Sequence, residues 1–263
     1  MILENTWGRV EIRPQGAQVL SYVPVGGRDL LWVSPAAQWG PGQPLRGGIP
    51  LCVPWFGPKY EGKPLHGFVR QLPWTSDGPQ TLADGSSRAT FRLEDSPETL
   101  ALWPTPFVFE HEITLGRQLT LVFRAWSRGK EAVPFELAWH TYFAVDVSRA
   151  RVEGLDGEAY LDKNDQRRPG VQTGDLAVDR PLDLLFPRVA SDQVIDDGRR
   201  IRIASTAPGA VVWNAGEKDK TVVDLGEGTH LHYLCVERGA IDASEVLLVP
   251  GIAYEASMAI QQE

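Results

Sequence analysis

The sequence predicts an all-β protein, a large antiparallel β-sandwich, and three observations carry that prediction. Glycine (26) and proline (20) are scattered along all 263 residues, so turns recur throughout the chain. No window sustains an i, i+3, i+4, i+7 apolar pattern over three helical turns. Short runs of alternating apolar and polar residues follow one another without helical stretches between them, the pattern of stacked antiparallel strands.

In chain order, the spacing predicts strands over 8–12, 17–23 and 29–33, then a segment too rich in Gly and Pro for regular structure. Strands resume over 89–93, 107–115 and 118–127, with Gly116-Arg117 as the turn of a hairpin. The stretch 135–145 alternates, 155–160 and 201–205 are shorter, and 211–213, 230–238, 245–249 and 253–260 complete the set. Residues 162–174 are polar and turn-rich. Strand patterning resumes directly after them, so they read as an internal loop, and one domain over 1–263 is the simplest organisation.

Charge and composition exclude several classes. The net charge of −8 opposes broad attraction to nucleic acid or an anionic membrane. Twenty arginines against six lysines still leave room for local anion sites. Cys52 and Cys235 sit in apolar surroundings and make no disulfide framework. The first residues lack a basic stretch followed by an apolar one, and no run approaches 18 apolar residues. A soluble, cytoplasmic monomer acting on a small molecule is expected, with no nucleic-acid or membrane partner.

The segment Arg46–Trp74 is the most informative. Its glycines and prolines dictate tight turns, and loops that hold arginines and aromatics rigidly are often those that line a site. Strand alternation supplies two more candidates. In 135–142 it sets Phe135, Leu137, Trp139 and Thr141 against Glu136, Ala138, His140 and Tyr142. In 230–237 it groups Tyr233, Cys235 and Glu237 opposite Leu234 and Val236. A carboxylate closing so apolar a strand costs several kcal/mol to bury unless paired, on the order of any desolvated charge. Glu237 could equally be a structural ion pair with Arg238, and His140 a satisfied core histidine. His230 and His232 share a strand face in this reading, but no third ligand lies nearby and no metal is expected. No nucleophile elbow, Walker loop or dinucleotide fingerprint occurs.

Six motifs appear in order: RGGIP at Arg46, PWFGP around Trp55, HGFVR from His66 to Arg70, WHTYF around His140, VVWN ending at Asn214, and CVE at Glu237 followed by VPG. Together they resemble the hexose-6-phosphate mutarotases of the wider aldose 1-epimerase group. The resemblance implies a large antiparallel β-sandwich, with His140 and Glu237 as the catalytic pair. It further implies that Arg46 and Arg70 surround the substrate's anionic end, that His66 lines the same pocket and that Asp183 of PLDLLF binds substrate. Trp55 and Trp213 are expected to pack on the sugar, and the chemistry asks for no cofactor. Two alternatives stay open: the same reaction on an unphosphorylated aldose, and a carbohydrate-binding module without catalysis.

Overall fold

A computed structural model describes residues 1–263. Two antiparallel sheets hold most of the strands. In the ten-stranded sheet, Tyr254–Gln262, Leu119–Ser127, Phe107–Leu115 and Ser87–Glu94 run side by side, with shorter strands at both edges. The eight-stranded sheet runs Arg168–Val171, Ala159–Asp162, Leu182–Phe186, Gly209–Asn214, Tyr233–Ala240, Leu137–Trp139 and Leu51–Cys52, with Tyr142–Ala144 also on Tyr233–Ala240. A three-stranded meander (Ile2–Asn5, Gly8–Arg13, Gln18–Pro24) and one short pair complete the β structure. The single α-helix, Pro97–Leu102, starts where sequence rules place it: Ser96 caps it and proline takes the first turn.

Alternation decides what each sheet buries. Phe109 and Phe123 of the larger sheet meet Leu184, Val212, Leu234 and Val236 of the smaller one in a core cluster of 52 residues. The other face of the smaller sheet is also closed over. Leu185, Val211, Ala138 and Cys52 form a separate cluster there, and Tyr142, Tyr233 and Cys235 another. All eight residues of Tyr233–Ala240 are therefore buried, which explains that strand's unbroken apolar character. No helix is long and apolar enough to cross a membrane.

Several expected elements differ. The stretch 29–33 makes only isolated bridges, Leu31 with Phe143 and Val33 with Gly47. Residues 162–174 are not wholly loop, because Arg168–Val171 folds back as an edge strand on Ala159–Asp162. The long strand expected over 135–145 is three pieces: Val133–Phe135 pairs with Val246–Leu248, while Leu137–Trp139 and Tyr142–Ala144 flank a two-residue gap. His230 and His232 do not share a strand face; Thr229–Leu231 is a 3₁₀ turn, and the strand starts at Tyr233.

One buried histidine joins the sheets. The His111 ring lies 3.2 Å from Ala17 O through Nδ1, and its Nε2 accepts the Trp139 indole N–H at 3.2 Å. Nδ1 must therefore carry the only ring proton. Burial holds its pKa down to about 4, against an ordinary 6.5. The unfolded chain binds a proton in that window and the native state does not. The stabilisation is complete above pH 6.5 and fades as pH falls toward about 4. Urea titrations over this range should show an acid-side loss on the order of 3 kcal/mol from this group, and His111→Gln should flatten the curve by that amount.

Candidate active site

Glu237 lies on Tyr233–Ala240 opposite Val211, on the outer face of the eight-stranded sheet with Tyr233 and Cys235. His140 reaches the same place because the neighbouring strand lets go. Trp139 pairs with Arg238 and Tyr142 with Cys235, so the gap at His140 and Thr141 falls opposite Val236 and Glu237. The donor released is Thr141 N–H, which turns back to Trp139 O (2.9 Å), while on the strand's other edge His140 N–H goes to Pro50 O (2.9 Å) and Tyr142 N–H to Gly48 O (2.9 Å). The motif RGGIP thus holds the strand's other edge across the gap. Gly48 sits at φ +62°, and a Cβ there would lie 2.1 Å from Val19 O, so only glycine fits.

His140 Nε2 stands 3.4 Å from Glu237 Oε1. Both are buried, and His140 Nδ1 and Glu237 Oε2 have no protein partner. Ring contacts rather than hydrogen bonds hold the imidazole: Tyr142 stacks on it at 4.8 Å, and Trp213 and His66 meet it edge-on. Burial pushes the His140 pKa well below the usual histidine range, with His66, Arg46 and Arg70 adding to the effect. Burial pushes Glu237 well above the usual carboxylate range, and Lys163 and Arg70 counteract this while Asp183 reinforces it. Burial thus pushes each group toward its neutral form, and the two titrate as a coupled pair. Arg238 takes no part, contrary to the ion-pair alternative. Its guanidinium turns into the core, donating to Gly209 O, Ala207 O and Gln193 Oε1.

His66 is positioned by two consecutive left-handed residues, His66 at φ +62° and Gly67 at φ +70°. A Cβ on Gly67 would meet Val53 O at 1.8 Å, which accounts for the glycine in HGFVR. The His66 Nδ1 accepts Gly57 N–H at 3.1 Å, leaving Nε2–H as a donor. Glu136 anchors that loop by accepting Phe56 N–H at 2.9 Å. Burial, with nearby Arg70, Lys163 and Arg46, takes the His66 pKa down to about 3, so this ring is a neutral donor rather than a proton carrier.

The two arginines share a cleft with Pro50 and Tyr142 but differ in their partners. Arg46 forks onto Asp224 through Nε (3.2 Å) and Nη2 (3.0 Å), and donates through Nη1 to Tyr142 Oη (3.0 Å). Arg70 has no carboxylate; Nη2 donates to Leu65 O at 2.8 Å and its Nε is buried without a partner. Asp183 is on the site face, since it pairs with Trp213 and shares its side with Leu185. Lys163 Nζ lies 3.1 Å from the Asp183 carboxylate.

Trp55 is misplaced by the sequence reading. It is 1% exposed in the main core, donating from Nε1 to Pro64 O (2.9 Å) and packing edge-on against Tyr60 and Phe68. Its half-buried neighbour Phe56 points the other way and meets the His66 ring at 4.7 Å. Two residues at the site escaped sequence reasoning, Lys163 and Asp224, while alternation sets Glu136 on the His140 face with no role. Nothing local marks the first two, since DKND and VVDLGEG read as solvated turns, and only strand register and loop return bring them in. His230, considered as a metal ligand, is bound to Asp219 at 2.7 Å, and no group of three or more His, Cys, Asp or Glu converges to hold a metal. Two spacious surface clefts elsewhere exclude both His140 and Glu237. Convergent ionisable groups, not volume, mark the candidate site.

Such an arrangement can take a proton from one ligand oxygen and give one to its neighbour. Comparison with known proteins agrees with that chemistry. Residues 2–261 match the family model "Aldose 1-epimerase". A Cenchrus ciliaris protein named "Putative glucose-6-phosphate 1-epimerase" is 33% identical over 265 residues, covering 95% of this chain and 80% of its own. An Escherichia coli K12 protein of the same name is 34% identical over 251 residues, with 90% and 81% covered. The crystal structure of a "putative mutarotase" from Salmonella typhimurium, 27% identical, superposes with a TM-score of 0.91 over 99% of this chain and 89% of that one. The chain belongs to the aldose 1-epimerase family of isomerases.

Proposed function

We propose that the protein interconverts the α and β anomers of a hexose 6-phosphate by acid–base ring opening and reclosure. The observation that carries this reading is the 3.4 Å approach of His140 to Glu237, with the His140 ring stacked on the same Tyr142 that lines the cleft of Arg46 and Arg70. Glu237, as carboxylate, removes the proton from the C1 hydroxyl through its unpartnered Oε2. The O1 electrons form the carbonyl, the C1–O5 bond breaks toward O5, and His140, as imidazolium, protonates O5. Rotation about C1–C2 presents the other carbonyl face. O5 then attacks C1, His140 recovers its proton and Glu237 returns the other to O1. The ion-paired arrangement has the same proton count as the neutral one, so a sugar needs only to favour the internal transfer.

Arg70 supports a phosphorylated substrate, because it is the guanidinium in the cleft with no carboxylate against it. Arg46 argues the other way, since Asp224 already balances its charge. A neutral aldose is therefore the second reading. Glucose 6-phosphate, free glucose and free galactose, each offered as a pure anomer and followed by polarimetry or NMR, separate the two. Acceleration confined to the phosphate supports the first; equal acceleration of free sugars favours the second, and none on any sugar refutes both.

His140→Asn and Glu237→Gln should each lower kcat by roughly 10²- to 10⁴-fold with circular dichroism unchanged. The parent kcat/KM should be bell-shaped in pH. In acid a second proton reaches the pair and the base is lost; in alkali the last proton leaves and the acid is lost. Arg70→Ala should raise KM for the phosphosugar by roughly 10- to 100-fold, the loss of one or two charge-assisted hydrogen bonds, and leave a free sugar's KM unchanged. Asp224→Asn should tighten inorganic phosphate, measured by calorimetry, by about 3- to 10-fold, because it removes a like charge from beside the anion.

A further inference from the structure

We propose that Lys163 is a positioning residue for proton transfer, holding the Asp183 carboxylate in place and setting the positive field in which Glu237 acts as a base. The inference rests on the acid–base reading above and deepens it. Its geometry is independent of that reading. Lys163 leaves the strand Ala159–Asp162 just as it meets Leu182–Phe186, and its backbone N–H donates to Asp183 O at 2.8 Å. Its ammonium returns to the same residue, 3.1 Å from Asp183 Oδ1, and lies 5.4 Å from the centre of the Phe56 ring. Two attachments to one residue and a ring beneath the cation fix a side chain that otherwise has four free torsions.

Register places this pair beside the base. Asp183 pairs with Trp213, Trp213 with Cys235, and Val211 with Glu237, so Asp183 and Glu237 lie on one face two strands apart. Glu237 is faced by His140 across the gap, by Arg70 from the HGFVR loop whose His66 meets the His140 ring, by Lys163 and Asp183 from the far side of the sheet, and by the Cys52 and Cys235 thiols. Tyr142 and Arg46 lie beyond them. Burial raises both thiols, which stay neutral. Of the charges acting on Glu237, Lys163 is the strongest that opposes the effect of burial, and Asp183 the strongest that reinforces it. A carboxylate sealed from water, with an unpartnered oxygen, needs such a cation to work as a base at neutral pH.

The test reads the Glu237 carboxyl directly, by infrared difference titration against Glu237→Gln, and in parallel the acid limb of kcat/KM. In Lys163→Met both should move to higher pH by about one unit, and kcat/KM on the acid limb should fall by up to roughly tenfold. Lys163→Arg should restore them, and Asp183→Asn should move the carboxyl titration the opposite way. A purely structural lysine would lower stability without moving either curve. An unmoved Glu237 titration in folded Lys163→Met overturns the inference. The infrared arm needs no substrate, so it decides the role of Lys163 even if the parent protein accelerates no sugar, a result that would refute the catalytic reading alone.

Discussion

The site depends on a two-residue release in one β-ladder. Between Trp139 and Tyr142 the strand gives up its pairing with Tyr233–Ala240: Thr141 N–H turns back to Trp139 O, while the His140 and Tyr142 N–H groups hold Pro50 and Gly48 on the other edge. With the release, the imidazole lies over Glu237 at 3.4 Å. Buried backbone groups must be paired: Thr141 N–H finds its acceptor two residues back, and RGGIP approaches the strand's other edge closely enough to accept from His140 and Tyr142. That approach in turn requires glycine at 48.

Burying an imidazole and a carboxyl with one shared contact is destabilising. Leaving His140 Nδ1 and Glu237 Oε2 unsatisfied costs on the order of 1–3 kcal/mol each. The 52-residue core between the sheets offsets this many times over, so the fold can carry a site that opposes its own stability. The manner of restraint also suits a reversible reaction. Stacking on Tyr142 and edge contacts with Trp213 and His66 fix where the His140 ring lies without dictating which nitrogen bears the proton. His66, by contrast, has its tautomer imposed by Gly57 N–H, and serves as a fixed donor.

Electrostatics divides the site into two ends. Toward Asp224, Arg46 is clamped by a carboxylate and a phenol and is mainly a rigid wall with two N–H groups to spare. Arg70, next to it, is the cation whose charge is uncompensated by a carboxylate. At the other end, Lys163 and Asp183 act on Glu237 with opposite signs. The base therefore sits in a field set by pairs rather than single charges, which keeps the buried region near neutrality.

The all-β class, the hairpin at Gly116 and the opposed faces of 135–142 were legible in the sequence, because period-two alternation and turn residues are local properties. His140, Glu237, His66, Arg70 and Trp213 were legible through ordered motifs, and all converge. Trp55 failed because Trp55 and Phe56 alternate, and nothing local says which of two adjacent aromatics faces the core. Asp224 and Lys163 were invisible for a different reason: each lies in a polar turn indistinguishable from solvated loop. Alternation and motif order, being short-range, were determined by the chain alone. Only tertiary structure decided which carboxylate meets which cation, because pairings across 178 residues (Arg46 with Asp224) depend on how sheets and loops return, not on neighbours in sequence.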